Sequence, residues 1–266
     1  MTEISASMVK ELREATGAGM MDCKNALTET KGDMDEARKL LREKGLASAG
    51  KRADRATTEG IVNAVVDGGV GAIAGIGCET EPVSKNDAFR AFATRVLDAV
   101  KAGGPEAADG FEAERTELIA TLGENIVVAG AARFEGGTLG AYVHPPANKI
   151  GVLVQLEGGS EELARQLCMH ISFAAPEWVT RDDVPDEVVE AERQIYLNSD
   201  ELASKPEAAR EKIVDGMLGK RFFAAAPGGV LVDQAWIHDA AKTVGQALAD
   251  AGATVKQFER VSVSGS

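Results

Sequence analysis

The sequence predicts an α+β protein: an N-terminal three-helix domain, then two similar α+β subdomains with antiparallel sheets and a short helical hairpin. Three observations point there. The first 50 residues place apolar side chains at helical spacing between glycine turns. A strand-strand-helix pattern then occurs twice. A polar helical stretch flanked by Pro185 and Pro206 interrupts the second copy.

Met8, Leu12 and Ala15 stand at i, i+4 and i+7, with Ser5 or Ser7 as N-cap, and Thr16-Gly17-Ala18-Gly19 ends that helix. A second helix runs from about Met21 to Thr30. Asp33 caps a third, with Glu36 completing a capping box. Its apolar face is Met34, Ala37, Leu40 and Leu41, and Gly45 takes the place of a C′ glycine. The polar segment from Ala47 to Thr58 reads as a linker or a solvated helix.

The first copy of the repeat is a hairpin. Its strands run from Glu59 to Val66 and from Val70 to Ile76, around Gly68-Gly69. A helix capped by Asp87 follows, with Phe89, Phe92, Ala93, Val96 and Val100 on one face. The second copy starts at Glu135-Gly136. Gly140 to Val143 and Ile150 to Val154 are its strands, His144 to Asn148 its turn, and Leu163, Leu167 and Ile171 mark its helix. Between Pro185 and Phe223, Val188, Glu192 and Ile195 form one stripe and Ala209, Ile213 and Met217 another, as a helical hairpin would. Thr243 caps a last helix that Gly252 ends, and a strand from about Thr254 to Val263 completes the second sheet. The expected division is 1–50 (three helices), 51–58 (linker), 59–134 (first subdomain), 135–184 with 224–263 (second subdomain) and 185–223 (hairpin).

The composition narrows the function. Acidic residues number 42 against 29 basic ones, a net charge of −13. Such a chain has no general attraction to phosphate backbones or anionic lipid, so neither direct nucleic-acid binding nor membrane binding is expected. The best candidate for a local basic patch is Lys51-Arg52-Ala53-Asp54-Arg55, which is short and interrupted by Asp54. Three widely spaced cysteines, Cys23, Cys78 and Cys168, read as reduced thiols of a cytoplasmic protein. The N-terminus lacks the pattern of a signal peptide. The histidines His144, His170 and His238 have no metal-ligand spacing, and no nucleophile or phosphate-loop motif is present, so no metal, cofactor or catalytic residue is expected. His170, among Cys168, Met169 and Ile171, reads as structural. Met20 and Met21, next to a Gly-x-Gly turn, are flexible side chains suited to an adaptable binding surface.

The run from Leu12 to Leu27, Leu-Arg-Glu-Ala-Thr-Gly-Ala-Gly-Met-Met-Asp-Cys-Lys-Asn-Ala-Leu, resembles the N-terminal signature of the elongation factor Ts family. The resemblance continues through Glu43-Lys44-Gly45, Lys51-Arg52-Ala53, Arg55 with Glu59-Gly60, Gly123-Glu124-Asn125-Ile126, Tyr142-Val143-His144, Ile150 to Val154 and Lys242 to Leu248. It departs at Thr80-Glu81-Pro82-Val83, where the family usually has Thr-Asp-Phe-Val. It also implies that the chain ends soon after the last strand, without the further C-terminal module of some members, and that the hairpin is shorter than in the longest ones.

What the resemblance implies is a nucleotide exchange factor without covalent chemistry, which promotes GDP release from the GTPase EF-Tu so that GTP can bind. The N-terminal domain, similar to ubiquitin-associated domains, would dock on the GTPase domain of EF-Tu. The loop at Thr80-Glu81-Pro82-Val83 would insert near the magnesium and phosphate site, and the second subdomain would touch the far domain. Carried onto this sequence, the expected contacts with EF-Tu, in its nucleotide-free and GDP forms, are Leu12, Met20, Met21, Lys24, Thr80, Glu81, Pro82, Val83 and His144. Proline at 82 is expected to push Glu81 into an extended conformation. Self-association as a homodimer stays open. So do two other classes: a protein-binding adaptor without exchange activity, and an enzyme with a site in the glycine-rich hairpin.

Overall fold

The computed structural model describes residues 4–49, 52–203 and 205–264. Three helices come first: α1 (Ala6–Thr16), α2 (Met20–Glu29) and α3 (Met34–Ala49). Ser5 caps α1 through its hydroxyl, and Gly17 closes it in the left-handed region at φ 69°. Asp33 Oδ1 accepts from the Asp35 and Glu36 amides at 3.0 Å each, which starts α3. Val9, Leu12, Ala18, Cys23, Ala26, Leu27 and Ala37 fill the small core between them.

Gly45 does not end α3. The helix runs on to Ala49. A side chain at Gly45 would come within 2.7 Å of Ala120, so the glycine answers a helix crossing rather than a helix end. The crossing partner is α6 (Glu112–Leu122), and Arg42 of α3 forks onto Glu117 of α6 beside the contact. The three-helix bundle therefore rests on the first subdomain. Part of the expected linker, Gly50 and Lys51, lies outside the described residues.

The first sheet has strands β1 (Glu59–Asp67), β2 (Val70–Cys78) and β3 (Ile126–Glu135), antiparallel in that order. Gly68 and Gly69 join β1 to β2 at φ 59° and 78°, as a tight two-residue hairpin turn requires. Helix α5 (Asp87–Gly103) lies on one face and buries Phe89 and Phe92 completely. Each such burial contributes ~1.5–3 kcal/mol. Asn86, not Asp87, is the N-cap: its Oδ1 accepts from Ala88 and Phe89. A 3₁₀ turn at Pro105–Phe111 leads into α6.

The second sheet repeats the plan: β4 (Thr138–Val143), β5 (Ile150–Glu157) and β6 (Thr254–Ser262), antiparallel in that order, covered by α7 (Glu161–Ala174) and α11 (Val244–Asp250). In both halves a hairpin is followed by a helix and then by a third strand beside the second. β3 is the strand that the sequence analysis did not assign. The two sheets pack through Val62, Ile73, Phe134, Leu139, Leu153, Val261 and Val263.

Between α7 and α11 stand α8 (Asp186–Leu197), α9 (Asp200–Ala203), α10 (Glu207–Met217) and a π-helical turn at Leu218–Phe223. Their core is Leu202, Val214, Met217, Leu218 and Phe223. Of the stripe Val188, Glu192 and Ile195, Val188 packs against this core, while Ile195 is 61% exposed. Tyr196 and Leu197 face inward instead. No helix among the described residues is long and apolar enough to cross a membrane.

His170 is structural. It is buried on α7, with Nε2 2.9 Å from Gln234 Oε1 and its ring 5.3 Å from that of Trp236. Burial pushes its pKa below the ordinary 6.5. The unfolded chain therefore binds a proton at a pH where the folded one does not, so stability is lost as pH falls through 6.5 toward the folded value. His170→Gln should flatten the fall in unfolding free energy between pH 6.5 and the lower folded value, as followed by urea titrations. Gly140 tests the packing of the second half. A Cβ there would meet the Ala164 backbone of α7 at 2.5 Å. Gly140→Ala should destabilise the fold by about 1–3 kcal/mol in the same assay.

Candidate functional site: a partner-docking edge

The sequence-predicted residues divide by burial. Met20 and Met21 open α2 and are 47% and 63% exposed, unusual for large apolar side chains. Lys24, one turn on, is exposed too. Leu12 is not: at 0% exposure it belongs to the bundle core and cannot offer its side chain to a partner. What Leu12 does is hold α1 against α2, so that the Gly17–Gly19 turn and the two methionines keep their places.

The next group follows β2. Thr80 is extended, and α4 (Glu81–Ser84) is a single helical turn. Glu81 is therefore helical rather than extended. Pro82 sits within the first turn, where a missing N–H breaks no intrahelical bond. Glu81 pairs with Lys85 at 2.6 Å, and that ammonium holds its carboxyl below the usual range. Thr80, Glu81 and Pro82 are exposed, and Val83 is half-buried against the α5 side of the first sheet.

His144 begins the exposed turn between β4 and β5. Its Nδ1 lies 3.0 Å from the Tyr142 hydroxyl, which fixes the ring outside the sheet. The rest of that turn folds back on β1. The Val62 amide donates to Asn148 at 2.7 Å, and Lys149 pairs with Glu59 at 2.5 Å. A cleft of about 440 Å³ separates the two groups, lined by Glu81, Ser84, Lys85 and Arg90 on one wall and Pro146 to Lys149 on the other.

The α2 end joins the same edge. Gly19 and Asp22 share a cleft with Thr121, Leu122 and Gly123 at the end of α6. The next residue, Glu124, accepts from the Thr80 amide at 3.0 Å. So the start of α2 is linked through the end of α6 and Glu124 to Thr80, and α4 in turn faces Pro146 to Lys149 across the first cleft. The sequence analysis did not anticipate Glu79, Glu124 and Asn125 as the ties between them. Acidic residues beside a helix end read as a solvated surface, and Glu124 and Asn125 were marked only as part of the run Gly123-Glu124-Asn125-Ile126.

The arrangement offers shape, exposed methionines and turn backbone. Among the described residues no cluster of side chains could hold a metal ion. All three thiols are buried, and burial pushes Cys78 up to about 12, so they are not poised as nucleophiles.

The family model for elongation factor Ts matches residues 79–265. The chain belongs to the elongation factor Ts family. The elongation factor Ts of Citrobacter koseri is 43% identical over 99% of this chain and 92% of its own length. Those of Escherichia coli and Shigella boydii are each 42% identical over the same shares. Membership makes the chain a translation elongation factor with a nucleotide-exchange role.

The burial pattern separates support from surface. Leu12→Ala should lose about 2–5 kcal/mol from the N-terminal bundle. Met21→Ala should change stability by less than ~0.5 kcal/mol. Hydrogen exchange of the α1–α3 amides in each variant checks both.

Proposed function

We propose that this chain releases GDP from EF-Tu by docking the edge formed by Met20, Met21, Lys24, Thr80 to Val83 and His144, with Leu12 supporting from within. What supports this reading is that the Gly19–Asp22 start of α2 shares a cleft with the end of α6, that Glu124 just beyond it binds Thr80, and that Glu81 and Lys149 line a second cleft beside the turn that begins at His144. The working units are the helices of 1–50, the linker 51–58, the subdomains 59–134 and 135–184 with 224–263, and the hairpin 185–223. The setting is the cytoplasm.

The mechanism is linkage. A factor that binds the nucleotide-free GTPase most tightly must weaken nucleotide by the same factor, because coupling between two sites is reciprocal. The methionines give adaptable apolar contact to one part of the partner. His144 reaches another part. Between them the α4 turn presents Pro82 at a fixed position, with the Glu81 carboxylate held ionised beside Lys85. Acting together, these contacts favour a GTPase conformation that holds phosphate poorly. Nucleotide then leaves, and the nucleotide in excess binds next. No bond in the protein is made or broken.

Release of fluorescent GDP from EF-Tu, with and without this chain, tests the reading. Accelerated release supports it. Binding without acceleration would make the chain an adaptor. Proline buries less apolar area than the phenylalanine usual at this place, where full burial contributes ~1.5–3 kcal/mol. Pro82→Phe should therefore speed release from the formed complex by roughly threefold or more. His144→Ala should weaken the complex without moving the melting temperature. If Pro82→Phe, Glu81→Ala and His144→Ala all leave release and affinity unchanged, the docking edge lies elsewhere.

A further inference from the structure

The turn between α6 and β3 ties together three segments that are distant in the chain. The Glu124 carboxylate accepts from the Glu79 amide at 3.2 Å and the Thr80 amide at 3.0 Å through one oxygen. Its other oxygen accepts from the Thr80 hydroxyl. Asn125, almost fully buried, donates through Nδ2 to the carbonyls of Ala53 at 3.2 Å and Arg55 at 2.8 Å. Its own amide donates to Glu79 at 2.7 Å. Arg55, from the segment that follows α3, approaches the Glu79 carboxylate at 3.4 Å. The same turn ends α6, the helix on which the N-terminal bundle rests through Gly45 against Ala120 and Arg42 against Glu117.

We infer that Glu124 is a positioning residue for exchange: it fixes the Thr80 end of the Glu81-Pro82 turn to the helix that seats the N-terminal bundle. The inference rests on the proposed exchange role and goes beyond it. Met20 and Pro82 belong to segments with no direct bond between them. One path from the first to the second runs from the segment after α3 through Arg55 and Asn125 to Glu79; the other, which alone of the two holds Thr80, runs from α2 and α3 to α6 and then through Glu124. Bonds to an ionised acceptor are the stronger kind, and three converge on this one side chain. α4 is one turn long, so its direction is set by what holds its first residues. With Glu124 in place, docking of the bundle decides where Pro82 stands. Without it, the bundle and the turn still dock, but the turn no longer arrives at one place. A purely structural Glu124 would lower stability and affinity together. A positioning Glu124 lowers the release rate inside a complex that still forms.

The test uses the full chain and EF-Tu loaded with fluorescent GDP, over a range of factor concentrations. Such a series separates the saturated release rate from the half-saturating concentration. Glu124→Ala should lower the saturated rate roughly tenfold, with the half-saturating concentration within about twofold of wild type. Glu124→Gln should recover most of the rate. Its carbonyl oxygen still accepts from both amides, and its NH₂ can donate to the Thr80 hydroxyl. Thr80→Val removes one bond at an exposed position, leaves the fold intact and should slow saturated release about threefold. It decides the matter if Glu124→Ala melts early. Unchanged saturated rates in Thr80→Val and Glu124→Ala, or a loss confined to the half-saturating concentration, would overturn the inference alone. A wild-type chain that leaves GDP release unchanged would overturn the exchange reading along with it.

Discussion

The close approach of the two sheets is the constraint on which the rest of the molecule depends. A Cβ at Gly75 would come within 2.4 Å of Val261, and one at Gly151 within 2.5 Å of Val62. Each glycine is a socket for a valine of the opposite sheet, so the halves interlock in one register. Protein interiors tolerate little misfit, and a slip of one residue would turn the valines away from the sockets. The register brings the start of β1 under the turn between β4 and β5, where Val62 donates to Asn148 and Glu59 meets Lys149. The end of β2 pairs with the start of β1, so the turn at Thr80 to Val83 leaves the sheet beside that of His144. Two turns 60 residues apart in sequence share a cleft because two sheets share a core.

A rigid frame with exposed turns suits a protein that acts by differential binding rather than by covalent steps. Shape complementarity to one conformation of a partner requires contacts held at fixed separation, and packed sheets provide that separation. In the proposed complex, adaptable apolar contact comes instead from Met20 and Met21, exposed at the start of α2. Because Gly45 lets α3 lie directly on α6, even that bundle is referred to the same frame. The exposed edge thus combines flexible side chains with fixed backbone.

Much of this was legible in the sequence where the determinant is local. Ser5 at the start of α1, the Thr243 cap of α11 and the Gly68-Gly69 turn act within a few residues, and periodicity placed the buried faces of α5 and α7 correctly. Gly45 was misread because a glycine beyond an apolar stripe looks the same whether it ends a helix or admits a neighbour. β3 was missed because Ala129-Gly130-Ala131-Ala132 is too small and uniform to show strand alternation, and its Gly130 answers Val261 of a distant strand. Leu12 carried the right motif but the wrong role, since a family signature mixes core and surface residues. Met20, Met21 and His144 entered through the same resemblance, and the structure leaves all three exposed. Glu124 was legible only as part of it, because a carboxylate that organises two backbone amides and a hydroxyl looks, in sequence, like any acid on a solvated helix end.

In the proposed complex the segment from Gly17 to Lys24, the turn from Glu79 to Lys85 and the turn from Tyr142 to Lys149 act as one docking edge. Hydrogen–deuterium exchange of the full chain, alone and saturated with nucleotide-free EF-Tu, tests it most directly. Amides of all three segments should slow together on complex formation, while those of α8 and α10 exchange as before. Protection confined to one of the three segments, or centred on α8 and α10, would contradict it.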